Sequence, residues 1–74
     1  MATRFTWDGT LDRDVRERLR EKITATLDRW GNLPESPARV IVSRPALNFL
    51  DDRVTLQIIG ESGNLLAAGR MKPP

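Results

Sequence analysis

The chain contains no cysteine, no histidine and no tyrosine. Without cysteine there is no disulfide framework, no zinc–thiolate cluster and no thiol nucleophile. Without histidine the chain lacks the commonest general base near neutral pH and the commonest neutral metal ligand. No apolar run reaches the roughly 18 residues that a membrane span needs, and no charged-then-apolar leader is present. The expectation is a cytoplasmic chain that does not cross a membrane. With 74 residues, one domain over positions 1–74 is expected. A domain of this size buries only about 60% of the surface its unfolded chain exposes, so its stability margin is thin. The composition is globular, 39% hydrophobic and 30% charged, which excludes collagen, low complexity and outright disorder.

Charge of one sign is also scarce. Twelve Lys and Arg against ten Asp and Glu leave a formal charge of +2, yet the isoelectric point is about 9.9. The two values agree because almost nothing titrates between the carboxylates and the Lys and Arg groups, so a small excess of base carries the isoelectric point far. Residues 1–37 hold seven bases and seven acids, and residues 38–74 five and three. The surface is mixed in sign rather than polycationic.

Residues 3–7 alternate polar and apolar with Phe5 and Trp7 on one side, which predicts a short half-buried strand. Asp8 and Gly9 predict a turn, and Thr10 a helix N-cap followed by Asp12 and Asp14 in the first turn. Leu11, Val15, Leu19, Ile23 and Leu27 recur every four residues and Trp30 closes the stripe, predicting an amphipathic helix with one core-facing side. Gly31 occupies a C′ position, and Pro34 forbids continuation. Residues 32–37 read as a loop and residues 39–44 as an interior strand rich in β-branched side chains. Pro45 interrupts it, residues 46–50 form an edge continuation or a loop, and Asp51 and Asp52 mark a turn. Residues 53–59 alternate strictly with Val54, Leu56 and Ile58 inward, residues 60–63 form a hairpin loop, and residues 64–71 the last strand.

The expected fold is therefore α+β, in the order β-α-β-β-β. A strand–helix–strand unit crosses over right-handed, making the first two strands parallel neighbours. Two further antiparallel strands complete a four-stranded mixed sheet of order 1-2-3-4, with one helix on one face. A helix is only about 10 Å wide, whereas four strands at about 4.8 Å spacing make a wider sheet. Leu65, Leu66, Ala67, Ala68 and Met71 lie on the strand farthest from the helix, where an outside partner or a second copy is expected to cover them.

Setting Leu19 at zero on a helical wheel, Arg13, Arg16 and Arg20 fall at about +60° to +120°, and Arg18, Lys22 and Arg29 at about −60° to −100°. Glu17, Glu21, Asp14 and Asp28 occupy the back. In the structural reading these bases lay their stems over the core margin and pair with acids three or four residues away, as in Asp12–Arg16, Arg13–Glu17 and Asp14–Arg18. In the functional reading Arg13, Arg16, Arg20, Lys22 and Arg29 line a groove that tracks phosphates, which the acidic ridge opposes. Phe5 and Trp7 could stack on bases but fit a core strand better. Residues 60–63 lack the lysine and the strand-to-helix context of a phosphate loop, and Asp51 with Asp52 supplies too few ligands for a dedicated cation site. No base stands beside Ser43 or Ser62 in the pattern, so no enzyme, metal or cofactor is expected.

The element order resembles the amino-terminal domain of the ribosome hibernation-promoting factor and ribosome-associated inhibitor family. The stretch LDRDVRERLREKITATLDRW resembles the family's first helix, ARVIVS its second strand and DRVTLQIIGESGNLLAAGRM its closing hairpin. The resemblance spans about residues 3–71. The family's second helix, which carries many of its basic contacts, has no counterpart within these 74 residues. The resemblance implies binding of small-subunit ribosomal RNA and inhibition of translation, with Lys22 on a basic position of the first helix and Arg16 and Arg20 on basic-tolerant positions nearby. The competing expectation is a self-associating interaction module or small inhibitor, a homodimer or a complex with a protein partner, in which Leu65, Leu66 and Met71 carry the contact through the uncovered face or by strand addition.

Overall fold

The computed structural model describes residues 3–44 and 53–72. In chain order the elements are β1 (Arg4–Trp7), α1 (Arg13–Arg29), β2 (Pro37–Ser43), β3 (Val54–Gly60) and β4 (Leu65–Met71). The four strands form one sheet in the order β1-β2-β3-β4, parallel between β1 and β2 and antiparallel across the other two pairs. This is the expected α+β architecture. The reading of residues 46–50 and of the Asp51–Asp52 turn falls outside the described residues.

Period-2 alternation sorts the strands into two faces. Phe5 pairs with Val40 and Trp7 with Val42. Val40 in turn pairs with Ile58, and Val42 with Leu56. These residues face α1, whose Leu19 and Ile23 are fully buried against them. Leu11 precedes the helix and is buried as well. Arg4, Thr6, Arg39, Ile41, Ser43, Thr55, Gln57 and Ile59 alternate with the core residues and so lie on the opposite, open face.

The last strand departs from expectation. Leu66, Ala67 and Met71 are half-buried and pack against the core cluster, so the helix side of β4 is partly sheltered within one chain. The physical reason is size. The residues that β4 presents opposite Ile58 and Leu56 are Ala67 and Gly69, which leave little apolar surface to cover. Ile59 pairs with Leu65 and Ile58 with Ala67, so Leu66 is an extra residue in a bulge. Leu65, opposite Ile59, lies on the open face and is 56% exposed. Leu65, Leu66 and Met71 therefore do not form one patch.

Both helix ends differ from the sequence reading. The N-cap is Asp12, without a side-chain cap bond, rather than Thr10. Thr10 is already engaged: its N–H and its hydroxyl both donate to Asp8 Oδ1, at 2.9 and 2.7 Å. At the other end the Trp30 N–H is shared between the carbonyls of Thr26 and Leu27. The backbone leaves the helix there, and Trp30 is 45% exposed instead of closing the apolar stripe.

Two carboxylates tie the connections down. Asp8 holds Thr10 through Oδ1 and accepts the Arg44 N–H through Oδ2 at 3.0 Å, joining the end of β1 to the end of β2. The Thr10 N–H first, then the Thr10 hydroxyl and the Arg44 N–H, lower its carboxyl from the usual 3.8 to about 2. Glu35 takes the Ser62 N–H and hydroxyl at 2.8 and 2.7 Å, strapping the α1–β2 loop to the β3–β4 turn. The same two donors, N–H first, lower its carboxyl too. The strap runs directly over Gly60, where any Cβ would collide with the Glu35 carboxylate. Gly63, at φ 90°, closes the turn with its N–H on the Gly60 carbonyl at 3.0 Å.

Gly60→Ala is expected to displace the Glu35 side chain and to lower stability modestly, since the bonds it breaks are exposed to solvent, as measured by urea denaturation. In Glu35→Ala the strap is already gone, so adding Gly60→Ala should cost distinctly less. Asp8 has a lowered folded-state pKa, so its contribution is complete above about pH 4 and disappears as the pH falls through about 2. Asp8→Asn places an amide N–H₂ against the Arg44 N–H and should be less stable than the parent at pH 7. The gap should narrow between about pH 4 and pH 2 in thermal melts.

Candidate nucleic-acid interface

The helix flank and the open sheet face both carry arginines, and the structure separates them by what each guanidinium touches. Arg16 lies over the turn before α1. Its Nε donates to the Leu11 carbonyl at 2.9 Å and its Nη2 to the Asp8 carbonyl at 3.2 Å. Those two carbonyls belong to the irregular segment between β1 and α1, which has no ladder of its own and therefore takes a side-chain donor. The expected Asp12–Arg16 pair is thus replaced by a fastening of the backbone.

Arg20 is likewise turned inward. Its guanidinium carbon stands 5.5 Å from the Phe5 ring centroid and 6.0 Å from that of Trp7. The two rings stack on each other, 5.3 Å apart and 10° from parallel. The pair sits on β1, an edge of the sheet, and Arg20 reaches sideways from α1 to cover it. The rings are half-buried against the core, which places Phe5 and Trp7 away from the open face. Of the five helix arginines and lysines expected to meet RNA, Arg13, Arg20, Lys22 and Arg29 are exposed, Arg20 lying over the ring pair and the other three alongside the acidic residues Asp14, Glu17, Glu21 and Asp28.

The open face has a different character. No acidic residue occurs in any of the four strands, while Arg4, Arg39 and Arg70 do. Arg70 pairs with Thr55 and so shares the open face with Arg4 and Arg39. Arg4 and Arg39 are direct partners across the parallel β1–β2 ladder, so two positive side chains stand side by side. Both are exposed. Both line an open cavity of about 690 Å³ that has Ile41 and Ile59 in its floor and the β3–β4 turn at one end. Thr6, Ser43, Thr55 and Gln57 supply hydroxyl and amide groups on the same face.

Sequence reasoning passed over Arg4 and Arg39 because they are 35 positions apart (39 − 4). The signal was nonetheless present: each lies in an alternating strand at a position opposite in phase to the core residues. Among the described residues no group of three or more Asp, Glu, His or Cys side chains could hold a metal ion, and no helix is long and apolar enough to cross a membrane.

The inward arginines and the outward lysine should separate in a stability assay. Arg16→Ala is expected to cost about 1–3 kcal/mol by loss of its two carbonyl contacts, and Arg20→Ala about 0.5–1 kcal/mol. Lys22→Ala should change stability by less than about 0.5 kcal/mol. Compared with models of known protein families, with curated proteins and with solved structures, the chain matches none.

Proposed function

We propose that this chain is a non-catalytic RNA-binding module that docks on small-subunit ribosomal RNA and restrains translation, as its resemblance to the hibernation factors implies, and that it meets the RNA with its open sheet face. The observation that carries this reading is the distribution of charge. Acids are present along α1 and in the turns, and none lies in a strand, where Arg4, Arg39 and Arg70 stand. A polyanion is drawn to the face whose strands offer cations without carboxylates, with Glu61 of the β3–β4 turn at its margin, because each phosphate neutralised releases condensed counterions. The helix offers its bases interleaved with acids and is the poorer platform.

The chemistry of that face also sets the mode of binding. No aromatic side chain of a strand points to it, since Phe5 and Trp7 face the core. Among the described residues of this face, then, none offers a ring for base stacking. Phosphate contacts from the arginines and hydrogen bonds from Thr6, Ser43, Thr55 and Gln57, for which the RNA 2′-hydroxyl is a suitable partner, give recognition that tolerates sequence.

A second reading is favoured by one observation, the exposure of Leu65 beside Ile59 on the last strand. Here β4 would add to a strand of a second copy, with Leu65 buried between them and Leu66 and Met71 serving only as support from the core side.

Fluorescence anisotropy with single-stranded RNA and co-sedimentation with small ribosomal subunits test the first reading. Log affinity should fall linearly with log salt, with a slope near −1.4 or steeper if two phosphates or more are neutralised. Gln57→Glu, which plants a carboxylate in the middle of the open face, should weaken binding by roughly tenfold, whereas Lys22→Glu should have little effect. The opposite ranking would return the interface to the helix flank. Absent or salt-insensitive binding, together with a dimer in light scattering that Leu65→Arg dissolves, would replace the RNA reading with self-association.

A further inference from the structure

The open-face cavity carries a more specific meaning than general attraction for a polyanion. Arg4 and Arg39 are rooted on neighbouring strands, about 4.8 Å apart, and their register makes them direct partners. Like charges placed side by side in a sheet are destabilising, by roughly 0.2–1 kcal/mol. Two arginines of the helix are given something to touch inside the fold: Arg16 two carbonyls and Arg20 two rings. Among the described residues Arg4 and Arg39 have no such partner. Two arginines rooted at paired positions and lining one cavity are within reach of a single group, and together they bring two positive charges.

We infer that the cavity flanked by Arg4 and Arg39 is a subsite for a terminal phosphate monoester, the phosphorylated end of the RNA that the open face binds. A monoester carries about −1.5 to −2 at neutral pH, whereas a bridging diester carries one charge, so the monoester matches the arginine pair. Each planar guanidinium can hold such a group through two N–H donors. The place also suits a chain end. The cavity lies at one end of the sheet, where β2 shifts register between Pro37 and Arg39 and the Gly60–Gly63 turn stands beside it. Glu61 is the acid among its lining residues. It repels a phosphate from the turn side and so leaves the arginine side as the seat. This inference rests on the RNA reading for the identity of the ligand, and its test keeps the two apart.

The measurement compares two short single-stranded RNAs of one sequence, with and without a 5′-phosphate, and a second pair differing at the 3′ end, against the full chain. One terminal phosphate is expected to tighten binding by about tenfold. Arg4→Gln or Arg39→Gln should remove that advantage while leaving most of the affinity for the hydroxyl-ended RNA, and Glu61→Gln should enlarge it. Circular dichroism checks that each variant is folded, which is expected because all three side chains are exposed. The advantage should also shrink as the pH falls through about 6, where the monoester gains its proton. The charged groups around the seat are Arg4, Arg39 and Glu61, and the chain has no histidine to titrate there. Equal affinity for both members of both pairs, or an advantage that survives Arg39→Gln, would overturn the subsite even if RNA binds. If no RNA binds but adenosine monophosphate shifts the amide resonances of β2 in the parent and not in Arg4→Gln, the subsite stands and the RNA reading falls.

Discussion

One helix must dry one face of four strands, and everything else in this small molecule follows from how that mismatch is met. The centre is simple. Leu19 and Ile23 press on Val40, Val42, Val54 and Ile58, and all of these are buried. The margins are handled in two different ways. On the β1 side the surface is large and aromatic, and Arg20 extends the helix laterally to lie over Phe5 and Trp7. On the β4 side the surface is made small, with Ala67 and Gly69 opposite Ile58 and Leu56. A side chain with a long apolar stem widens the roof at one edge, and small residues shrink the floor at the other.

Element order, sheet order and the core were legible in the sequence because each rests on a repeating pattern. The four-residue recurrence from Leu11 to Leu27 and the alternation of Val54, Leu56 and Ile58 each report a face that water leaves. Width was misjudged at β4 because counting apolar residues ignored their size and the bulge at Leu66, which separates Leu65 from the core-facing set. The helix start was misplaced because Thr10 and Asp12 are both acceptable caps in isolation, and only the turn, with Asp8 consuming both Thr10 donors, decides between them. The site was the least legible part. A helical wheel shows which bases share a side of α1, yet it cannot show that Arg16 folds back on the Asp8 and Leu11 carbonyls or that Arg20 is taken by the rings. The Arg4–Arg39 pair exists only through the parallel register of β1 and β2.

The result is a division of labour between the two surfaces of the sheet. Arg16 and Arg20 belong to the helix side and serve structure. The Arg4–Arg39 pair belongs to the open side, with hydroxyl and amide groups around it and a cavity between strands and turn. A net charge of +2 gives no hint of this, since the total conceals where the acids are. The proposed meeting with a polyanion rests on local separation of sign, not on overall basicity.

The absence of carboxylates from the strands has a cost at the sheet's two rims. Leu65, Leu66, Ala67, Ala68 and Gly69 form an uncharged run on a border strand, the sort of segment that recruits other chains edge to edge. The only formal charge within that strand is Arg70, and within the opposite border strand it is Arg4. These cations therefore act as gatekeepers against sticking, and the proposed RNA face would use the same side chains. A chain that traded them for neutral residues would be more prone to stick to its own copies, and on the proposed reading it would lose its hold on phosphate by the same exchange.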